Sequence, residues 1–215
     1  LPMSWTLRWW NVPWRCKYME GGKTIIAVTG GIGSGKSCIV KAFETLGVPS
    51  YDCDSRAKAL YREDSLLVAD IVKLFGEEVL SGGHLNLKAM SERVFGDRAQ
   101  LLALEALVHP AVMRDYLKWQ AAVESPMVVV ESAIFFEKPF CDNFAHFSIT
   151  VSLPENIRIA RVMERDGLTA GQVRSRLANQ WSDEQREARA DMVLRTDDRT
   201  AIMPVIIKLI DELKS

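Results

Sequence analysis

Thr24-Ile25-Ile26-Ala27-Val28-Thr29-Gly30-Gly31-Ile32-Gly33-Ser34-Gly35-Lys36-Ser37 is the stretch of this 215-residue chain whose reading decides the fold. Its first six residues form a short β-branched apolar run, the mark of a buried strand. Its last eight fit G-x-x-x-x-G-K-[ST] at every fixed position. Behind them Ile39, Val40, Phe43 and Leu46 share one face, which predicts a helix over 36–46 closed by Gly47. Glycines let the backbone wrap a phosphate without side-chain clash, and successive N–H groups then point inward as an anion nest. The new helix adds its positive end. Lys36 supplies a mobile point charge for β- and γ-phosphates, and Ser37 a hydroxyl for Mg²⁺, a hard cation that prefers oxygen. Cys38 is not needed as a ligand. A dinucleotide-binding turn is the rival, with Asp52 and Asp54 about 20 residues on where an acid binds ribose. It fails at Lys36, which stands where the third glycine belongs.

Outward from the loop, strand and helix signals alternate. Val48–Tyr51, Met127–Val130, Ser148–Val151 and Met192–Leu194 read as further short strands. Helical periodicity covers 55–61, 66–75, 87–95, 100–108, 110–123, 154–165, 169–180, 183–190 and 201–213, and 76–86, with three glycines, reads as a loop. Continuous apolar strands between helices mean an α/β fold with a parallel sheet covered on both faces. The stretch from about 63 to 124 shows helices and no convincing strand, so it reads as a helical insert. The length suits one domain with such an insert.

Composition excludes several classes. With 48% hydrophobic and 26% charged residues the chain is ordinary globular material, not a disordered one. Lys+Arg 27 against Asp+Glu 28 removes the argument for a non-specific nucleic-acid binder. No apolar run approaches the roughly 18 residues of a membrane-spanning helix. The four cysteines include no C-x-x-C pair, which fits a reducing, cytoplasmic compartment. Residues 1–22 stand apart: Trp5, Trp9, Trp10 and Trp14 fall there, while Pro2, Arg8, Asn11 and Pro13 interrupt any signal-peptide stretch. They read as an extension outside the fold, upstream of Met19, with an interfacial membrane tail as the alternative.

A phosphate loop does not separate kinase from switch or motor; three other features bear on that. Asp52 and Asp54 close the second strand, whose carboxyl end lines the ligand crevice. One of them takes a proton from an acceptor hydroxyl, or one caps the helix near Ser55. Arg158, Arg161 and Arg165, spaced i, i+3, i+7, share a helix face that Gly167 ends. They read as a lid over about 158–190 closing on a triphosphate, or as a solvated face among interleaved acids. Glu131 ends an apolar strand, where an acid holds Mg²⁺ through water or caps the strand. His109-Pro110 opens a helix, a place for a capping or packed histidine. No Asn-Lys-x-Asp guanine-reading element occurs.

At these residues the chain resembles the dephospho-CoA kinase family. TGGIGSGKS (29–37), YDCDSRAK (51–58), SERVF (91–95), LEALVHPAV (104–112), RVMERDGLT (161–169), RLANQ (176–180) and ARAD (188–191) carry the resemblance, from Thr24 to about Leu213. The loop alone is shared with many kinases; the ordered combination of YDCD, LVHP and ERDGLT is far more specific. The resemblance implies ATP-dependent phosphorylation of the ribose 3′-hydroxyl of dephospho-CoA, giving CoA and ADP, with Mg²⁺. It implies a three-layer P-loop kinase fold with a five-stranded parallel sheet, a helical substrate-binding insert and a lid; a monomer or weak homo-oligomer is the separate expectation for assembly. By position it makes Asp54 the base and Arg161 the lid arginine, with Arg165 and Lys36 assisting. Gly31, Ile32, Gly33, Ser34, Gly35, Lys36, Ser37 and Cys38 would hold ATP, and Ser37 the metal. Asp52, Asp54, Arg93 and His109 would meet the acceptor. The chain departs from the family in three places: Ala133-Ile134-Phe135-Phe136-Glu137 lacks a proline, Leu87-Lys88 stands near an expected arginine, and Arg195-Thr196-Asp197-Asp198 lacks an asparagine. Another small-molecule kinase (for nucleoside monophosphates or sugars) and a non-enzymatic nucleotide switch remain as alternatives.

Overall fold

A computed structural model describes residues 22–94, 97–137, 144–196 and 201–214. The expected extension over 1–22 thus lies, up to residue 21, outside the described residues. The chain divides into two compact units: one runs to Tyr51 and resumes at Ser125, and the other is Asp52–Glu124.

The first unit is built on a five-stranded sheet, in the spatial order β2 (Ser50–Asp52), β5 (Met127–Glu131), β1 (Thr24–Thr29), β6 (Phe147–Ser152), β7 (Met192–Arg195). β1 pairs in parallel with β5, Val28 opposite Glu131, and with β6, Thr29 opposite Thr150; β7 continues in parallel beyond β6. The carboxyl ends of the central strands therefore share one edge, and β1 sits where the connections diverge to either side, the usual ligand position in such sheets. Strand residues alternate between the two faces. One face, with Ile26, Val28, Val129, Ile149 and Val151, packs on Ile39 and Phe43 of α1 (Lys36–Thr45) and on Ile206 and Leu209 of α9 (Ile202–Lys214). On the other, Ala27 packs on Phe135 and Phe136 of a short 3₁₀ turn, with Trp181 beside them. The sheet is thus the middle of three layers.

The arm between β6 and β7 holds α6 (Glu155–Asp166), α7 (Ala170–Leu177) and α8 (Asp183–Arg189). Gly167, left-handed at φ 66°, ends α6, and capping boxes Thr169/Gln172 and Ser182/Gln185 start the next two helices. Ile159, Val162 and Val173 form a buried cluster there, with Ile32 of the phosphate loop packed against it.

The second unit contains α2 (Cys53–Glu63), α3 (Ser65–Phe75), α4 (Leu87–Val94) and α5 (Arg98–Ala122). Asp52, Asp64, Asn86 and Asp97 each accept two backbone N–H bonds at the start of these helices. Leu60, Leu67, Ile71, Phe75, Val79, Met90, Leu104 and Val108 make the core.

Three expectations need correction here. The helices over 100–108 and 110–123 are one 25-residue helix, α5, that runs through Pro110. Proline lacks an N–H and crowds the preceding turn, but burial of Leu104, Val108 and Ala111 on one stripe offsets that local cost. His109 therefore sits inside a helix and opens none. The loop at 76–86 carries a two-stranded antiparallel pair, β3 (Leu80–Ser81) and β4 (His84–Leu85), turned by Gly82 and Gly83 at φ 58° and 80°. Two-residue strands leave no apolar alternation to read.

Candidate active site

The loop between β1 and α1 is a turn with its glycines placed by geometry. Gly33 and Gly35 have φ of 79° and 92°, which side-chain-bearing residues seldom adopt. Gly35 is also the residue before α1, with no side-chain cap, so the first amides of the helix face the loop. Lys36 Nζ donates to the Gly30 carbonyl at 3.0 Å, which keeps the ammonium at the loop. Ser37 Oγ donates to Glu131 Oε1 at 3.5 Å, where β5 ends beside β1. A hydroxyl and a buried carboxylate are hard oxygen donors, of the kind that suits Mg²⁺. Cys38 is exposed.

Arginines and one glutamine from the arm surround this loop. A Cβ on Gly31 would overlap Nη1 of Arg158 and come within 3.4 Å of Nη1 of Arg186. A Cβ on Gly33 would meet the Arg158 carbonyl at 2.7 Å, and one on Gly35 would lie 3.6 Å from Arg161 Nη1. Ile32 N–H donates to Gln180 Oε1 at 3.0 Å, and Thr196 Oγ1 donates to the Ser34 carbonyl at 2.9 Å. Arg158 and Arg186 are 5% and 2% exposed. Arg158 Nη2 and Arg186 Nη1 donate to the two oxygens of Asp183 at 2.8 and 3.0 Å. Glu137 accepts from Trp181 N–H and stands 3.7 Å from Arg186 Nη2, an ion-pair distance longer than a hydrogen bond. Burial pushes the Asp183 carboxyl up, against the pull of Arg158 and Arg186, and pushes the Arg186 guanidinium down, against Asp183 and Glu137.

The three arginines of one helix face go separate ways. Arg158 is buried at Gly31 and Arg161 is half-buried at Gly35. Arg165 is turned outward and forked onto Asp166 at 2.7 and 2.9 Å. In the second unit Asp52 caps α2, so that half of the Asp52/Asp54 alternative is its own. Asp54 lies exposed in the first turn of α2, two residues past the end of β2. Arg93 pairs with Glu78 at 3.0 Å, and His109 is half-buried on α5.

A family profile described as dephospho-CoA kinase (CoaE) matches residues 24–201, from β1 past β7. The chain belongs to the dephospho-CoA kinase family. A dephospho-CoA kinase of Bacteroides fragilis is 33% identical over 186 residues, 86% of this chain and 90% of that protein. One from Thermus thermophilus is 38% identical over 170 residues, 79% of this chain and 81% of its own. A crystal structure of a Thermus thermophilus protein superposes with a TM-score of 0.81 at 33% identity, covering 90% of this chain and 99% of the other. Shikimate kinase from Acinetobacter baumannii, at 13% identity and a TM-score of 0.51, shares the fold alone.

Within the family frame, the residues missed in the sequence are Arg186, Gln180 and Thr196, and the reach of Arg158. Arg158 was visible in its i, i+3, i+7 run, and Gln180 stood in RLANQ. Nothing in the sequence tells which arginine of a charged helix is buried. Asp197 and Asp198, where the family asparagine is lacking, lie outside the described residues.

Proposed function

We propose that this protein transfers the γ-phosphoryl group of ATP to the ribose 3′-hydroxyl of dephospho-CoA, giving CoA and ADP, the last step of coenzyme A synthesis. One observation carries the reading: Lys36 and Ser37, with Glu131 at Ser37, close a phosphate loop inside a match to the family that runs from 24 to 201.

The loop Gly31–Cys38 and the start of α1 bind the phosphates by charge and hydrogen bonding, through amides other than those of Ile32 and Ser34, which meet Gln180 and the Gly31 carbonyl, and Lys36 follows the β- and γ-oxygens as a point charge. Ser37 and Glu131 would hold Mg²⁺, which when bound neutralises charge across the β- and γ-phosphates. Arg161, beside Gly35, offsets charge on the moving group. Asp54 accepts the 3′-hydroxyl proton as that oxygen forms its bond to phosphorus and the bond to the ADP oxygen breaks. Asp52 orients Asp54 by capping the helix that carries it. Arg93 and His109 are our further candidates for the acceptor, and Arg165 for the triphosphate once it releases Asp166.

The segment 158–190 serves as the lid and about 63–124 as the acceptor-binding insert, in a cytoplasmic monomer or weak homo-oligomer. Among the described residues no helix is long and apolar enough to cross a membrane. The test is direct: protein, Mg-ATP and dephospho-CoA are mixed and CoA is sought by mass. CoA should accumulate with ADP in equal amounts. ADP forming equally fast without the acceptor would overturn the reading in favour of a hydrolase or switch.

A further inference from the structure

The rim of the phosphate loop at Gly31 and Ile32 gathers more hydrogen-bond donors than acceptors. Nη1 of Arg158 and Nε and Nη2 of Arg186 are buried without a hydrogen-bond partner. Both guanidinia approach the loop at Gly31. Buried donors left unpaired are costly and seldom kept without a reason. Asp183 and Glu137 balance the two charges, yet leave those three N–H-bearing atoms unanswered.

Gln180 stands at the same rim. Because a backbone N–H can only donate, the group that meets Ile32 is the carbonyl of the Gln180 side chain. Its Nε2, with two donors, is thereby turned away from that amide. Gln180 and Arg158 also line a cavity of about 670 Å³ with Arg174, Glu155, Glu184 and Glu187, which reaches the carboxamide from the side away from the residues of the phosphate loop, none of which line it. At the loop itself an oxygen-rich anion would meet a side chain whose carbonyl is already held by Ile32 and whose Nε2 is left to donate.

We infer that Gln180 is a catalytic residue: held through Oε1 by Ile32, it donates from Nε2 to an oxygen of the terminal phosphoryl group, with Arg158 and Arg186 as fixed positive charge behind it. This rests on the phosphoryl-transfer reading above. A donor fixed in advance stabilises charge on the transferring group without reorganisation at the moment of reaction. The contact distinguishes a triphosphate from a diphosphate, since ADP has no such oxygen.

The test compares Gln180→Glu, which can still accept from Ile32 but cannot donate, with Gln180→Ala, which does neither. Dissociation constants for ADP and for a non-hydrolysable ATP analogue are measured with Mg²⁺, and kcat with dephospho-CoA. Both variants should lose at least about tenfold in preference for the analogue over ADP and in kcat, with ADP affinity held within about twofold. Equal losses for ADP and analogue, a preference unchanged in both variants, or a loss confined to Gln180→Glu would overturn the inference. The first two outcomes mean a tether only, and the third means an introduced charge. A wild-type protein that makes no CoA, while its preference still falls in both variants, would remove the acceptor assigned above and leave this contact standing.

Discussion

The two units of this protein bury different kinds of side chain. Among the described residues, the buried polar and charged side chains Thr29, Ser34, Glu131, Ser132, Ser148, Thr150, Ser152, Arg158, Arg186 and Thr196 all belong to the first unit. Among the described residues of Asp52–Glu124 the buried set is Leu, Ile, Val, Phe, Met and Ala, with Tyr116 the one side chain that carries a hydroxyl inside. There the charges stay at the surface in pairs, such as Arg56 forked onto Asp115 at 2.8 and 2.9 Å and Arg114 with Asp64 at 3.4 Å. Burying a polar group costs free energy unless its partners are built in. Six of those side chains, Thr29, Ser34, Glu131, Arg158, Arg186 and Thr196, lie in or against the phosphate loop and mark where chemistry is done, and an apolar core with capped helices marks a unit whose first duty is to hold shape.

The largest expected effect would break that division. Asp54 belongs to the apolar-cored unit yet is assigned a chemical task, so Asp54→Asn should lower kcat by about 10²–10⁴-fold. ADP affinity, set by the loop, should be unchanged in the same titration. A full rate would return the whole unit to a scaffold. Next comes the scaffold itself: Ile71, fully buried, should cost about 2–5 kcal/mol on replacement by Ala. Denaturant unfolding followed by circular dichroism measures this, and a loss under that range would mean the site collapses around the gap.

Gly31→Ala sharpens the other side of the comparison. Its Cβ would overlap the Arg158 guanidinium, whose Nε and Nη2 are fixed by the Leu153 carbonyl and Asp183, so overpacking should cost about 1–3 kcal/mol. Asp97→Asn is the smallest. Hydrogen bonds from Gln100, backbone first and then side chain, hold the Asp97 carboxyl below its ordinary value of 3.8. A lowered folded-state pKa gives stability that is present above the unfolded value and lost as pH falls through the folded one. The melting temperature of the wild type should thus drop more steeply below about pH 4 than that of Asp97→Asn, and parallel curves would deny the cap that role.

Much of the first unit was legible because its signals are local. The strand, the glycine spacing and the helix after it sit within 23 residues, and Glu131 announced itself as an acid ending an apolar run. The second unit was less legible. Pro110 argued for two helices where packing made one, and the turn at Gly82-Gly83 brought together strands too short to show a period. The arginines divide on the same ground: spacing put Arg158, Arg161 and Arg165 on one face, and only packing sent one inside, one to Gly35 and one onto Asp166.

Taken alone, the amino-acid order determined a parallel sheet, a phosphate loop with Lys36 and Ser37, and a family, because each depends on residues near one another in the chain. Tertiary structure alone decided that Gln180, 148 positions away, meets Ile32, and that Arg158 and Arg186 share Asp183 beside Gly31. Which polar groups are taken out of water, and against what, is settled only when distant segments close on one another, and it is that desolvation which turns an ordinary arginine or glutamine into part of a site.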